Sequence, residues 1–118
     1  MSKKYQWHKI ADNIEDINFA NNSMIELEIK GKKVCVALQN ETLFACAAKC
    51  PHAGGHMSDG HIDALGNIVC PLHRYKFSLA NGRNVSGEGY FLKNYPIEVR
   101  ANGIFVGFEE AGMFGWLK

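Results

Sequence analysis

Residues 50–77 read CPHAGGHMSDGHIDALGNIVCPLHRYKF, and this stretch decides how the whole chain is understood. It holds two short clips of metal-ligating side chains, Cys50-Pro51-His52 and Cys70-Pro71-Leu72-His73. Each clip offers one thiolate donor and one imidazole donor within a single tight turn. Seventeen residues, 53–69, separate His52 from Cys70. That interval is long enough for a short hairpin, which would return the second clip to the side of the first.

How the donors are shared carries the information. A zinc finger usually keeps its two cysteines in one clip and its two histidines in the other. One Cys and one His per clip suits a [2Fe-2S] cluster with two cysteines on one iron and two histidines on the other. The pattern Cys-x-His followed by Cys-x-x-His resembles the Rieske family. Two further runs extend the resemblance over nearly the whole chain: His73-Arg74-Tyr75-Lys76-Phe77 followed by Gly82, and Asn94-Tyr95-Pro96-Ile97-Glu98-Val99. The resemblance implies that Cys50 and Cys70 hold a buried iron, and that His52 and His73 hold the outer one through ring nitrogens.

Formal charge shows how such a centre differs from an all-cysteine one. Two ferric ions, two sulfides, two thiolates and two neutral imidazoles sum to zero, so an added electron meets less repulsion than it does with four thiolates. Rieske centres accordingly lie at about −150 to +300 mV, against about −400 mV for plant-type ferredoxins. Membrane-complex members of the family carry an extra cysteine in each clip, joined as a disulfide; those positions here are Gly55 and Leu72. The same relatives place a serine and a tyrosine two and four residues after the last histidine ligand, where this chain has Tyr75 and Phe77. Fewer hydroxyl donors stabilise the reduced cluster less, so a potential in the lower part of the range is expected.

The prolines after each ligand cysteine fix φ and preorganise the loops. Gly54 and Gly55 are expected to let the backbone approach the sulfides and turn its N–H groups toward them. His56 and His61 lack the ligand spacing and read as surface loop residues, His56 lying where it could help contact a partner. The loop 86–90, Ser-Gly-Glu-Gly-Tyr, lacks the proline often found in the family's third loop.

Composition narrows the function classes. A chain of 118 residues with 47% hydrophobic and 21% charged residues is expected to form one domain over 1–118, its cluster-binding part at about 47–80. Thirteen basic residues against 12 acidic ones leave no nucleic-acid footprint. No run approaches the roughly 20 apolar residues a membrane helix needs. The polar start has no apolar run behind it that could serve as a signal peptide, so the four cysteines favour a reducing cytoplasm.

Elsewhere the signals are those of short strands. Residues 5–10 form a first strand, with His8 on its surface, and a turn or single helical turn follows at 11–17. Runs 24–29 and 33–38 pair as a hairpin, and 42–47 leads into the first clip. Beyond the second clip, 75–79, 91–95, 96–100 and 104–108 read as strands, with turns at Asn81-Gly82 and Asn102-Gly103. The fold class is therefore all-β, a Rieske-like antiparallel sandwich or barrel with a cluster-binding subdomain formed by two loops. Cys35 and Cys46 lie inside apolar runs and read as small buried hydrophobes, although Cys46 is close enough in sequence to Cys50 to be a rival ligand. The apolar run Met113-Phe114-Gly115-Trp116-Leu117 is expected to pack back on the sheet.

The functional expectation is a one-electron carrier holding one [2Fe-2S] cluster on Cys50, His52, Cys70 and His73. It would pass electrons from a reductase to a terminal enzyme such as a ring-hydroxylating oxygenase, with the histidine edges as the exit. No second metal triad, flavin fingerprint or nucleotide loop is visible, so no substrate chemistry is expected of the chain alone. Two alternatives stand beside it: a small subunit of a nitrite-reductase-like complex, and a zinc-stabilised binding module.

Overall fold

The computed structural model describes residues 4–51 and 54–110. Its strands are β1 (Tyr5–Ala11), β2 (Met24–Ile29), β3 (Lys32–Gln39), β4 (Thr42–Ala47), β5 (His61–Ile62), β6 (Asn67–Val69), β7 (Lys76–Ser78), β8 (Asn94–Tyr95), β9 (Ile97–Arg100) and β10 (Gly103–Glu109). Two single 3-10 turns interrupt them, Ile14–Asp16 and Met57–Asp59. All strand pairings are antiparallel, in three sheets ordered β1-β10-β9, β2-β3-β4-β8 and β5-β6-β7. No helix among the described residues is long and apolar enough to cross a membrane.

The central hairpin is specified locally. Its turn, Asn40-Glu41, has both residues at positive φ (51° and 64°), the two-residue geometry that matches the natural strand twist. This fixes the register Gln39↔Thr42 through Val34↔Ala47. Side chains on successive residues point to opposite faces of a strand, so a fixed register also fixes which face each residue covers.

Both faces of this hairpin are buried, and they serve different cores. Val34, Val36, Leu43 and Ala45 join Ile17, Ile29, Ile104 and Val106 in one core, between this sheet and the β1-β10-β9 sheet. Cys35, Ala37 and Cys46 face the other way, into a second core with Cys50, Met57, Ile68, Cys70, Phe77, Leu79 and Leu92. The β3–β4 hairpin is thus a wall between a structural body and the part that carries both clips. Each large apolar side chain buried along that wall contributes about 1.5–3 kcal/mol relative to exposure.

Several expected boundaries move. The run 91–95 is a strand only at Asn94–Tyr95, and Phe91 makes a single bridge to Arg83. The last hairpin turns at 101–102 rather than at Asn102-Gly103, because Gly103 already pairs with Arg100 as the first residue of β10. His8 lies on β1 as expected, half-buried, with its ring 5.0 Å from that of Phe108. The apolar run 113–117 lies outside the described residues.

Candidate metal centre

Each clip sits in a loop closed at its base by backbone hydrogen bonds. In the first, Cys50 N–H donates to Gly55 O at 2.7 Å, and Met57 N–H donates to Ala48 O at 2.7 Å. In the second, Cys70 N–H donates to Tyr75 O at 2.9 Å. Between the clips run the 3-10 turn and the β5–β6 hairpin, the short hairpin that the 17-residue spacing implied. It returns Cys70 to the side of Cys50.

Both cysteines are buried, and their thiols are within hydrogen-bonding reach of each other. The Cys70 thiol is pushed up to about 11: burial is the main cause, and the Cys50 thiol adds to it, while the Leu72 N–H pulls the other way. Two buried thiols facing each other suit a cation that both sulfurs can hold, which would supply the charge the pocket lacks.

The clips also touch each other. A Cβ placed on Gly55 would come within 3.0 Å of Leu72 Cγ and Cδ1 and 3.5 Å of Cys70 Sγ. The first clip thus packs directly on the second, and a side chain at Gly55 would have to push Leu72 aside. Gly54 differs from expectation. It has φ 73°, but its N–H donates to Cys50 O at 3.0 Å and so closes the turn instead of pointing at a sulfide.

His73 is exposed, and both it and Arg74 have left-handed backbones (φ 61° and 59°). Consecutive non-glycine residues in that region are strained, and strain of this kind persists where surrounding structure over-determines it. Here the Cys70–Tyr75 hydrogen bond closes the turn around them. The His73 ring lies 6.3 Å from that of Tyr75, which lies 5.8 Å from that of Tyr90. His52 lies outside the described residues; among those described, no three His, Cys, Asp or Glu side chains gather at one point.

The two positions read as hydroxyl substitutions behave differently. Phe77 is completely buried beside Cys50 and Cys70 in the second core. Tyr75 is half-buried, and its phenol is pushed up by burial first, then by the Glu88 carboxylate, Tyr90 and Cys50. Despite lacking proline, the third loop is well ordered by its own side chains: Asn84 Oδ1 accepts from Gly89 N–H at 3.0 Å, and Ser86 Oγ accepts from Lys76 N–H at 2.9 Å.

Cys46 is not brought to the clips as a ligand. It stands opposite Cys35 in the β3–β4 register, and its thiol is raised well above its ordinary range by the hydrogen bond with Cys35, by burial and by the Cys35 charge. Cys35 in turn donates to Met24 Sδ at 4.0 Å. His61 is exposed as expected, although it lies on strand β5 and not in a loop. His56 is more constrained than a surface loop residue, for its Nδ1 lies 2.6 Å from Glu26 Oε1 on β2.

Glu26 is one of three positioning residues that sequence reasoning missed. Asn22 Nδ2 donates to Ser58 O (2.8 Å) and Gly60 O (3.0 Å), pinning the inter-clip turn to the segment before β2. Asp63 Oδ1 accepts from the Leu65 and Asn67 N–H groups at 2.9 Å each and closes the β5–β6 turn. Only Asp63 left a signal, the Asp-x-x-Gly-Asn turn composition.

Comparison with known proteins agrees with this geometry. The chain matches the Rieske [2Fe-2S] domain over residues 6–96. It is 27% identical over 60 residues to the ferredoxin component of the alkene monooxygenase system of Xanthobacter autotrophicus, a match covering 51% of this chain and 49% of that one. It thus spans about half the length of that relative. It is 22% identical over 99 residues to the naphthalene 1,2-dioxygenase ferredoxin component of Pseudomonas aeruginosa, covering 83% and 94% of the two chains. Among solved structures, the carbazole 1,9a-dioxygenase ferredoxin of Nocardioides aromaticivorans superposes with a TM-score of 0.72 at 20% identity, over 85% and 95% of the chains. A protein assigned as an NADH-dependent nitrite reductase small subunit from Mycobacterium tuberculosis gives 0.75 at 19% identity, over 89% and 96%. With its paired buried thiols and exposed histidine set in this three-sheet fold, the chain belongs to the Rieske [2Fe-2S] family, the domain that binds a [2Fe-2S] cluster.

Proposed function

We propose that this chain is a one-electron carrier of the oxygenase-ferredoxin kind, with Cys50 and Cys70 on the inner iron of its cluster and His52 and His73 on the outer one. The observation that carries this reading is the polarity of the site. The two sulfur donors are buried against the second core, whereas His73 is exposed on a loop held in a left-handed turn. The bound cluster supplies a single reversible electron. The protein's own groups do the rest: Cys50 and Cys70 fix one end in a dry pocket, and the His73 edge offers the shortest path to a partner.

In this reading the whole chain is one Rieske domain working in the cytoplasm. It receives an electron from a reductase and delivers it to a terminal oxygenase through small, transient interfaces. The support for an oxygenase partner is the pair of ferredoxin-component relatives described above.

Anaerobic purification followed by metal and sulfide assay tests the proposal. It requires two irons and two acid-labile sulfides per chain, a reddish-brown colour, and loss of both in Cys50→Ser and His52→Ala. A colourless protein with one zinc overturns it. A stable large subunit that co-purifies would instead establish the nitrite-reductase-like arrangement.

A further inference from the structure

Charge is unevenly distributed over this chain. Residues 70–93 carry Arg74, Lys76, Arg83 and Lys93 against the single carboxylate of Glu88, a net of +3; the remaining nine basic and eleven acidic residues leave the rest at −2. The segment begins at the second clip and includes the third loop. Its one carboxylate is drawn into that loop, where it accepts hydrogen bonds from Asn84 Nδ2 at 2.8 Å and from the Ser86 hydroxyl. Lys76 and Lys93 stand at the limit of ion-pair distance from Asp63 and Glu109, at 3.9 and 4.0 Å. Arg74 and Arg83 are exposed, and neither has an ion-pair partner among the described residues; Arg74 lines a cleft beside the second clip that it shares with Asp59, and Arg83 lies farther along the segment.

Exposed apolar side chains collect on the same segment. Leu72 (45% exposed), Val85 (52%), Tyr90 (42%) and Phe91 (59%) are four of the six large hydrophobics that the described surface leaves open. Arg83, Val85, Tyr90 and Phe91 line one shallow groove. The groove connects to the cluster end through the ring row Tyr90–Tyr75–His73. Apolar residues with the Arg83 guanidinium beside them, and that of Arg74 near the second clip, are the composition of a protein-recognition surface.

Resting on the electron-carrier reading, we propose that the electron leaves toward a partner seated on this one side of the cluster end, the face formed by 72–76 and 83–91. We further propose that the partner's docking surface is apolar at its centre and acidic around it. Charge complementarity sets the sign: two exposed guanidinium groups on an otherwise acidic molecule orient an approaching acidic surface toward His73 and turn a basic one away.

Small redox complexes of opposite charge read the sign of this face directly. The chemically reduced holoprotein is mixed in a stopped flow with hexacyanoferrate(III), or with hexaammineruthenium(III); each takes one electron from the reduced cluster and becomes the corresponding divalent metal complex. At low ionic strength the wild type should react with the anion at a rate that falls as salt is added, and with the cation at a rate that rises. Arg74→Glu/Arg83→Glu should slow the anion reaction by about tenfold or more and speed the cation reaction. Lys9→Glu/Lys33→Glu, the same charge change on exposed positions of β1 and β3, should alter both by less than about twofold. Equal effects from the two double variants, or a wild-type preference for the cation, overturn the proposal. Iron content and visible spectrum are read on every sample, so a failed docking face with an intact cluster is distinct from a failed carrier.

Discussion

The two sides of the β3–β4 wall are stabilised in different ways. The body is built of strands up to eight residues long, with β1 paired to β10 and β3 to both neighbours over most of their lengths. The cluster side has strands of two, three and three residues, β5, β6 and β7. Ladders that short do not hold a sheet, since small strand sets need a substantial hydrophobic face or a packed partner for independent stability. The cluster side depends instead on a sulfur-rich core, on close backbone approaches and on side chains that cap backbone groups, with the metal as the remaining tie. The body should therefore survive insults that dissolve the other side.

Removing the iron is the strongest way to separate the two. Stripping it by chelation under reducing conditions, or replacing Cys70 with serine, should abolish hydrogen-exchange protection across 57–78 while β2, β3 and β4 keep theirs. Equal loss on both sides would mean that the wall does not divide the molecule.

Gly60→Ala comes next, because the added Cβ would fall 1.8 Å from Val69 O, a backbone atom that cannot rotate away. The expected cost is about 3 kcal/mol or more in denaturant unfolding, with impaired cluster retention. Asp63→Ala should cost about 1–3 kcal/mol, through two backbone donors left without their acceptor. Burial pushes the Asp63 carboxyl up, but hydrogen bonds from the Asn67 N–H, the Asn67 amide and the Leu65 N–H, with Lys76 nearby, more than reverse this and hold it below the usual carboxylate range. A carboxyl lowered by folding stabilises above its unfolded value of about 3.9, and that contribution fades as the pH falls through the folded value. Acid below about pH 4 should thus loosen the cluster hairpin in the wild type and have less effect on the alanine variant, as read by cluster absorbance.

A smaller effect concerns tuning. With Phe77 in place of a hydroxyl donor, the midpoint potential should fall in the lower part of the roughly −150 to +300 mV span. Phe77→Tyr should raise it by some tens of millivolts in a redox titration, 59 mV being about tenfold in a one-electron equilibrium. The smallest change is expected on the body, where Arg100 lies over the rings of Trp7 (4.8 Å) and Phe105 (4.6 Å). Arg100→Ala should lower stability by about 0.5–1 kcal/mol and leave the cluster spectrum unchanged.

Much of this architecture is legible in the order of residues. Asn40-Glu41 between two short apolar runs marks the central hairpin, and the mixed clips point to the cofactor. Strand ends are less legible: Phe91, Leu92 and Lys93 have strand composition, yet Leu92 N–H donates to Gly82 O in a loop instead of joining a ladder. His56 reads as a loop histidine because its carboxylate partner, Glu26, lies 30 positions away.

Taken alone, the amino-acid order pointed to the chemistry now proposed, because Cys50, His52, Cys70 and His73 carry their donor types and spacing within a few bonds of backbone. It also marked most strand runs, which are short apolar or β-branched stretches between turn residues. Tertiary structure decided which face of β3 and β4 looks toward Cys50 and Cys70, that Gly55 meets Leu72, and that Asn22, Glu26 and Asp63 secure the region between the clips. Those contacts join segments far apart in the chain, and the closest approach of two backbones leaves no periodic trace in either one.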